Sequence, residues 1–151
     1  ILILGDLVQN GPRPAEVIDA VRALESAGAY VIAGNTDIAV ADGDYTAAFP
    51  WLDEVPAAHR AVAEWTREQL SDEQVEYLRR LPSERRVSHG DDLVLGTHGS
   101  PGSQTLGLPA DLDPALVQSY LRRDDLQPDG QAIFGKTAGN RHAGNPRQVG
   151  R

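Results

Sequence analysis

The first 33 residues contain the pattern that most constrains the fold, since two apolar runs flank a stretch of helical periodicity. The runs are Ile1–Leu4 and Tyr30–Ala33, and between Ala15 and Ala27 the apolar residues recur at helical spacing. Short continuous apolar runs are typical of strands in a parallel sheet that is buried on both faces. A strand, a helix and a strand in this order predict an α/β fold.

The remaining chain carries further strand and helix signals. Residues 37–56 are predicted to be irregular, because Gly43, Pro50 and Pro56 interrupt them, with four hydrophobic packing groups: Tyr45, Phe49, Trp51 and Leu52. Beyond them the patterns predict a helix over Ala57–Leu70, a helix from Ser71 to Pro82, a hairpin over 86–95, a helix over Pro114–Arg123 and a strand over Gln131–Phe134. No repeat or linker divides the chain, so we expect residues 1–151 to form a single domain.

Composition limits the classes of function. The 151 residues carry a formal net charge of −8 and no cysteine, so any metal must be held by His, Asp, Glu or Asn. The acidic balance argues against duplex nucleic acid as a partner. No apolar run is long enough to span a membrane and no signal segment opens the chain. We therefore expect a cytoplasmic protein with a small-molecule substrate, and leave a homo-oligomer open.

Two features of the sequence indicate that the domain is incomplete. It contains no methionine, and it begins inside an apolar run. We expect the domain to lack residues before Ile1, and to have residues omitted near the C-terminus.

Three apolar strands end in a glycine next to a polar side chain. The polar residues are Asp6, Asn35 and His98. In open α/β sheets, ligands bind beyond the carboxyl ends of the strands, so these side chains are expected to converge. Carboxylate, amide oxygen and imidazole together suit Mn, Fe, Mg or Zn. The repetition of the pattern at three strand ends favours a metal site, although each ending alone is more typical of a simple turn.

These motifs resemble those of a known family. Three segments, in order and spacing, are similar to the second, third and fourth motifs of calcineurin-like metallophosphoesterases, in particular the small bacterial and archaeal phosphodiesterase-like branch: Gly5-Asp6-Leu7-Val8-Gln9-Asn10-Gly11-Pro12-Arg13-Pro14, Gly34-Asn35-Thr36-Asp37 and Thr97-His98-Gly99-Ser100-Pro101. The resemblance implies a sandwich of two mixed β-sheets flanked by helices, with its first strand missing from this chain.

The resemblance also implies a two-metal hydrolase. Asp6 would bridge two divalent ions, Asn35 would bind one ion and reach the phosphate, and His98 would be a further ligand. Manganese is the expected metal, with Fe, Zn, Ni or Mg as alternatives. The implied reaction is hydrolysis of a phosphomonoester or phosphodiester by a metal-bound hydroxide. Two cations would also let an acidic protein attract an anionic phosphate ester.

Two further residues near these motifs are candidates for the site. Arg13, in the loop after Asp6, is predicted to bind the substrate, although solvation alone is the simpler expectation for it. Asp37 is assigned with Asn35 to the catalytic set, through a hydrogen bond that orients a ligand. Capping of the following turn is an equal alternative for Asp37.

Departures from the family pattern leave a second function open. An Asp-x-His motif is expected before Ile1, Thr36 stands where many members carry the histidine that protonates the leaving group, and the late Gly-His-x-His histidines are missing after Gly135. His142 is an unassigned candidate ligand. The alternative is a non-catalytic binding or scaffold protein that keeps the fold with an incomplete metal site.

One other pattern competes for the C-terminal region. Gly130 to Thr137 matches the phosphate-binding pattern G-x4-G-K-[ST]. A P-loop needs a strand before its first glycine and a helix after its lysine, whereas here the inner four residues are themselves strand-like. The sequence context therefore argues against nucleotide binding by this segment.

Overall fold

A computed structural model describes residues 1–90, 92–108, 111–121 and 131–134. Helices and short strands alternate along the chain, which confirms the predicted α/β class. The elements are β1 (Leu2–Leu4), α1 (Pro14–Ser26), β2 (Tyr30–Ile32), α2 (Asn35–Asp42), α3 (Tyr45–Ala48), α4 (Ala57–Glu68), α5 (Asp72–Arg80), β3 (Glu84–His89), β4 (Asp92–Thr97), α6 (Pro114–Leu121) and β5 (Gln131–Phe134).

Two small sheets carry the motifs. Strands β1 and β2 pair in parallel, with Leu2 opposite Tyr30. Strand β4 pairs antiparallel with β3 and parallel with β5. The sheets meet at β1 and β4, where Gly96 has no side chain and the side chains of Leu2 and Leu4 fill the space beside it. A complete two-sheet sandwich remains a prediction.

Helices α1, α4, α5 and α6 form where the sequence predicts them. In α1, Ile18 and Val21 are buried. Helix α5 begins with a capping box, because the Ser71 hydroxyl accepts from the Gln74 backbone N–H and the Gln74 side chain accepts from the Ser71 N–H. These ends and inward faces follow from local sequence alone.

The prediction of an irregular segment over residues 37–56 is wrong, because this stretch includes most of α2 and all of α3. Helix α2 is stabilised at its C-terminal end by side chains from elsewhere in the fold. Arg67 donates to the carbonyl oxygens of Val40 and Ala41, and Arg79 donates to that of Ala41 at 2.8 Å. These contacts satisfy carbonyl groups that have no partner inside the helix.

The aromatic residues divide differently from expectation. Phe49 is buried in the core beside α2 and α3, and Tyr45 and Leu52 pack against it in part. Trp51 and Trp65 are instead 59% and 44% exposed. Trp51 packs with one edge against Phe49 but is not part of the buried core.

Part of the C-terminal region for which the sequence makes predictions is not described by the structure. Residues 122–130 and 135–151, which include His142 and half of the P-loop-like pattern, lie outside the described residues. Residues 131–134, the other half of that pattern, form β5. That residues 1–151 form one domain stays a prediction. Among the described residues, every helix is too short or too polar to cross a bilayer.

Candidate functional site

The ends of β1, β2 and β4 bring Asp6, Asn35 and His98 together. Two glycines make this approach feasible. Gly5 has φ +87°, and a Cβ atom there would overlap the backbone of Gly34. A Cβ atom at Gly34 would overlap Asp6 and would come within 2.9 Å of Cε1 of His98. The glycines thus let two motif loops lie in direct backbone contact.

His98 lies at the centre of the site and is 4% exposed. Its Nδ1 atom is 2.6 Å from the carbonyl oxygen of Leu4. Its Nε2 atom is 3.1 Å from Oδ1 of Asn35 and 3.4 Å from Oδ1 of Asp6. Because a carbonyl oxygen only accepts hydrogen bonds, Nδ1 must carry the proton that lies toward Leu4.

This tautomer gives the site its chemical character. In a neutral imidazole protonated at Nδ1, Nε2 presents a lone pair. The carboxylate oxygen of Asp6 also presents lone pairs, and so does Oδ1 of Asn35, since Nδ2 of Asn35 donates to the carbonyl oxygen of Ala48 at 2.8 Å. Three electron-pair donors therefore face one another, and this arrangement is stabilised by a cation between them.

A proton is one such cation, and the pKa shifts of the pair reflect it. Burial alone lowers the pKa of His98, but its contacts with Asp6 and the Leu4 carbonyl raise that pKa above its ordinary 6.5. Burial likewise raises the pKa of Asp6, yet hydrogen bonds from His98 and Thr36 bring it below its ordinary 3.8. The site thus favours positive charge beside the Asp6 carboxylate.

A divalent metal ion fits the same three atoms. Metal bonds of about 2.0–2.2 Å to nitrogen and oxygen place neighbouring ligand atoms about 2.8–3.6 Å apart. The distances from Nε2 of His98 to the oxygens of Asn35 and Asp6 fall within that range. The Leu4 carbonyl already fixes the ring so that Nε2 is the nitrogen available for a metal, as such partners do in known metal sites.

Asp6 is held by its neighbours in an uncommon backbone conformation. Its φ is +55°, which is unusual for a residue other than glycine. Its Oδ1 atom accepts hydrogen bonds from the Thr36 hydroxyl at 2.7 Å and from the Thr36 N–H at 3.2 Å. The first turn of α2 therefore orients the Asp6 carboxylate.

Asp37 joins the two loops from inside the protein. It is 1% exposed, and its two oxygens accept hydrogen bonds from the backbone N–H groups of Asp6, Leu7 and Gly34 at 3.0, 2.9 and 2.8 Å. Burial raises its pKa to about 6 despite these bonds. Both sequence alternatives for Asp37 therefore have a counterpart in the structure: the bond to Gly34 stabilises the start of α2, and the others fix the Asp6 loop.

The other site residues stand as follows. Arg13 is exposed, forms an ion pair with Glu16 at 3.3 Å, and makes no contact with Asp6, Asn35 or His98 among the described interactions. Its predicted role in substrate binding stays a prediction. In the part of the chain that the structure describes, no group of three or more His, Asp or Glu side chains is placed to hold a metal. Asp6 and His98 are only two such side chains, and Asn35 is the third donor. Together these three residues could supply part of the coordination shell of one ion.

Several groups that order the site were missed by the sequence analysis. The carbonyl oxygens of Leu4 and Ala48 orient His98 and Asn35, and no side-chain pattern reveals them. Gln104 donates to the carbonyl oxygen of Ala33 at 2.7 Å, which connects the loop after His98 to the strand end before Asn35. These backbone acceptors become visible only once the strand ends are placed.

Solved structures similar to this chain include the following two. The hypothetical protein PH1004 from Pyrococcus horikoshii OT3 is 32% identical, with a TM-score of 0.64 over 80% of this chain and 50% of that chain. A metallophosphoesterase from Sphaerobacter thermophilus is 36% identical over 69% of this chain and 38% of that chain, with a TM-score of 0.46. This chain thus spans 50% of the length of the first protein and 38% of the length of the second. No family model matches it, nor does any curated protein.

The contact between Gly34 and Asp6 gives a direct test of the site. If these three donors bind manganese, Gly34→Ala should displace the Asp6 carboxylate and weaken that binding about tenfold or more, as loss of ligand support does in metal sites. Isothermal titration calorimetry with MnCl2 measures the change. Gly107→Ala is the control, because a Cβ atom there meets nothing within 4 Å. Equal affinities for the two variants would contradict the geometry.

Proposed function

We propose that this protein is a metal-dependent phosphoric ester hydrolase that acts on a phosphomonoester or phosphodiester. Asp6, Asn35 and His98 hold a divalent cation in this proposal. The observation that carries it is the convergence of three electron-pair donors on one point, with no hydrogen between Nε2 of His98 and the two oxygens when the imidazole is neutral. The motif resemblance supports the same reading.

Charge supports a cation in the site as well. The chain has a formal net charge of −8, and Asp6 adds a carboxylate at the site itself. An anionic phosphate ester is repelled by such a site unless a stronger local positive charge is present. Divalent cations supply that charge, polarise the phosphoryl oxygens and make water acidic enough to attack near neutral pH.

The protein's own residues have distinct roles in this proposal. His98 and Asp6 bind the cation, while Thr36 and Asp37 are positioning residues that hold Asp6. Asn35 presents Oδ1 to the cation, and its Nδ2 already donates to Ala48. Contact between Asn35 and the phosphate therefore requires its Nδ2 to leave Ala48, or a further lone pair of Oδ1 to be used through water.

The finer parts of the proposal are the number and identity of the ions. We propose two ions, with manganese first among Mn, Fe, Zn, Ni and Mg. The hard oxygen and imidazole donors of the site agree with this choice. Ligands for the second ion are proposed to come from outside the described residues.

Metal analysis of the purified protein tests this function. After incubation with manganese and desalting, mass spectrometry of the metals should give about two ions per chain. The loaded protein should hydrolyse bis(p-nitrophenyl) phosphate, and EDTA should stop the reaction. Loss of the ions without loss of turnover would contradict the proposed chemistry.

A second candidate is a binding or scaffold protein with this fold. It is favoured by one observation: within the described ranges, no group of three His, Asp or Glu side chains is placed to bind a metal. A scaffold of this kind should contain no ions even after incubation with manganese, and it should not hydrolyse the phosphodiester. The same measurement therefore separates the two functions.

A further inference from the structure

Trp51 is a large aromatic residue that the fold holds at the surface, three residues after the end of α3. Its side chain is 59% exposed, whereas Phe49, two residues earlier, is buried. The two rings pack edge to face with centroids 5.8 Å apart and planes at 89°. Such packing orients the indole without covering it.

The segment that carries Trp51 begins at the metal site. Nδ2 of Asn35 donates to the carbonyl oxygen of Ala48, the last residue of α3. Trp51 follows Ala48 by three residues, so its Cα atom lies within about 11 Å of that of Ala48. This limit on the distance between Ala48 and Trp51 is short enough for one molecule to be proposed to contact both Asn35 and Trp51.

His59 is a second ring on Phe49, so its centroid lies at most about 12 Å from that of Trp51. Its ring stacks on Phe49 with centroids 6.0 Å apart and planes at 29°, and the residue is exposed. Phe49 thus supports two exposed rings, one with a broad apolar face and one with hydrogen-bonding nitrogens. We call Trp51 and His59 on their Phe49 support the aromatic platform.

We propose that the aromatic platform binds the base of a nucleoside phosphate whose phosphate group lies at the metal site. This inference rests on the proposed function and names its substrate class. A nucleobase presents a π face that stacks on indole and a polar edge that can pair with imidazole. A simple phenyl ester offers only the face, which is why the platform favours the nucleobase.

Tryptophan fluorescence gives a readout that does not depend on turnover. The chain contains only two tryptophans, Trp51 and Trp65, so Trp65→Phe leaves Trp51 as the sole reporter. In that manganese-loaded variant, adenosine 5′-monophosphate should quench the emission saturably. Ribose 5-phosphate and phenyl phosphate at the same concentration should quench it much less. Equal quenching by ribose 5-phosphate would overturn the proposal, and equal quenching by phenyl phosphate would overturn the choice of a nucleobase.

Affinity measurements on matched variants complete the test. Trp51→Ala should weaken binding of adenosine monophosphate roughly 5- to 100-fold, the range found when a base-stacking aromatic is removed, and should leave inorganic phosphate binding unchanged. Trp51→Phe should retain most of the affinity, and Trp65→Ala should match the wild type. An unchanged affinity in Trp51→Ala, with normal circular dichroism, would overturn the proposal. If Trp51→Ala fails to fold, the fluorescence comparison decides alone.

The outcomes also separate this inference from the proposed function. Manganese binding with phosphodiester hydrolysis but no response of Trp51 to the nucleotide would overturn the aromatic platform alone. Quenching by the nucleotide in a chain that holds no metal would support the aromatic platform and contradict the metal-dependent function.

Discussion

Asp37→Ala is expected to destabilise the protein by about 3 kcal/mol or more. The substitution leaves three backbone N–H groups, those of Asp6, Leu7 and Gly34, without their acceptor. Each buried donor left unsatisfied costs about 1–3 kcal/mol, and part of the total is offset because the carboxylate is no longer desolvated. For a domain of this size, the loss corresponds to a fall in melting temperature of about 6–12 °C. Thermal unfolding followed by circular dichroism measures it.

Asp44→Ala is the matched control for this prediction. Asp44 also accepts a backbone hydrogen bond at the start of a helix, from Ala47 at 2.9 Å, but it accepts only this one and lies at the surface. Its loss should cost about 1 kcal/mol, as for other helix N-caps. Equal destabilisation by the two variants would contradict the role of Asp37 as a link between loops.

The raised pKa of Asp37 adds a pH dependence to the same comparison. In metal-free protein the folded state keeps a proton that the unfolded chain releases above pH 3.8, because burial raises the pKa of Asp37 to about 6. The stability from this proton is fully present below pH 3.8 and is lost as the pH rises through about 6. Asp37→Asn lacks the titrating group, so its stability should fall less than that of the wild type across this interval.

The sequence was sufficient to predict an element where the residues that stabilise it are neighbours in the chain. The apolar run before Gly5 predicts β1, and the Ser71–Gln74 pair predicts the start of α5, because strand burial and helix capping depend on neighbours in the chain. The convergence of Asp6, Asn35 and His98 was also predicted. Parallel pairing of β1 and β2 explains it for Asp6 and Asn35, whereas His98 follows β4 in the other sheet and joins them because the two sheets meet at β1 and β4. The ligating roles of these three residues stay a prediction.

The sequence was insufficient where the stabilising contact comes from a distant residue. Helix α2 was missed because Thr, Ile, Val and Asp are weak helix formers. In the structure, Arg67 and Arg79 from α4 and α5 satisfy its last carbonyls, and Val40 on its inward face is fully buried. Trp51 was expected inside, but Phe49 alone fills the core position. Neither outcome follows from the residues next to it in sequence.

Asp6→Asn is expected to have the largest effect on activity. The amide keeps the size of the side chain and can still accept from Thr36, so the fold should remain stable. It removes the negative charge that faces Nε2 of His98 at 3.4 Å and leaves a neutral oxygen as a much weaker metal ligand. Changes to residues that only support a ligand reduce affinity or activity about 10- to 100-fold. Loss of a ligand itself should exceed that range, so manganese-dependent hydrolysis of bis(p-nitrophenyl) phosphate should fall by at least about 100-fold.

Asp42→Asn is the matched control, because it makes the same change of charge at the opposite end of α2. It separates loss of a metal ligand from a change in the net charge of the chain. Asp42 is half exposed and pairs with Arg79 at 2.8 Å, so its loss should alter stability by less than about 1 kcal/mol and leave turnover near that of the wild type. If electrostatic attraction of the whole acidic chain governed metal uptake, both variants would change activity alike. If Asp6 is a ligand, only Asp6→Asn loses the metal, and calorimetry should show the loss directly. Wild-type turnover in Asp6→Asn would contradict the site, because no other described carboxylate contacts His98.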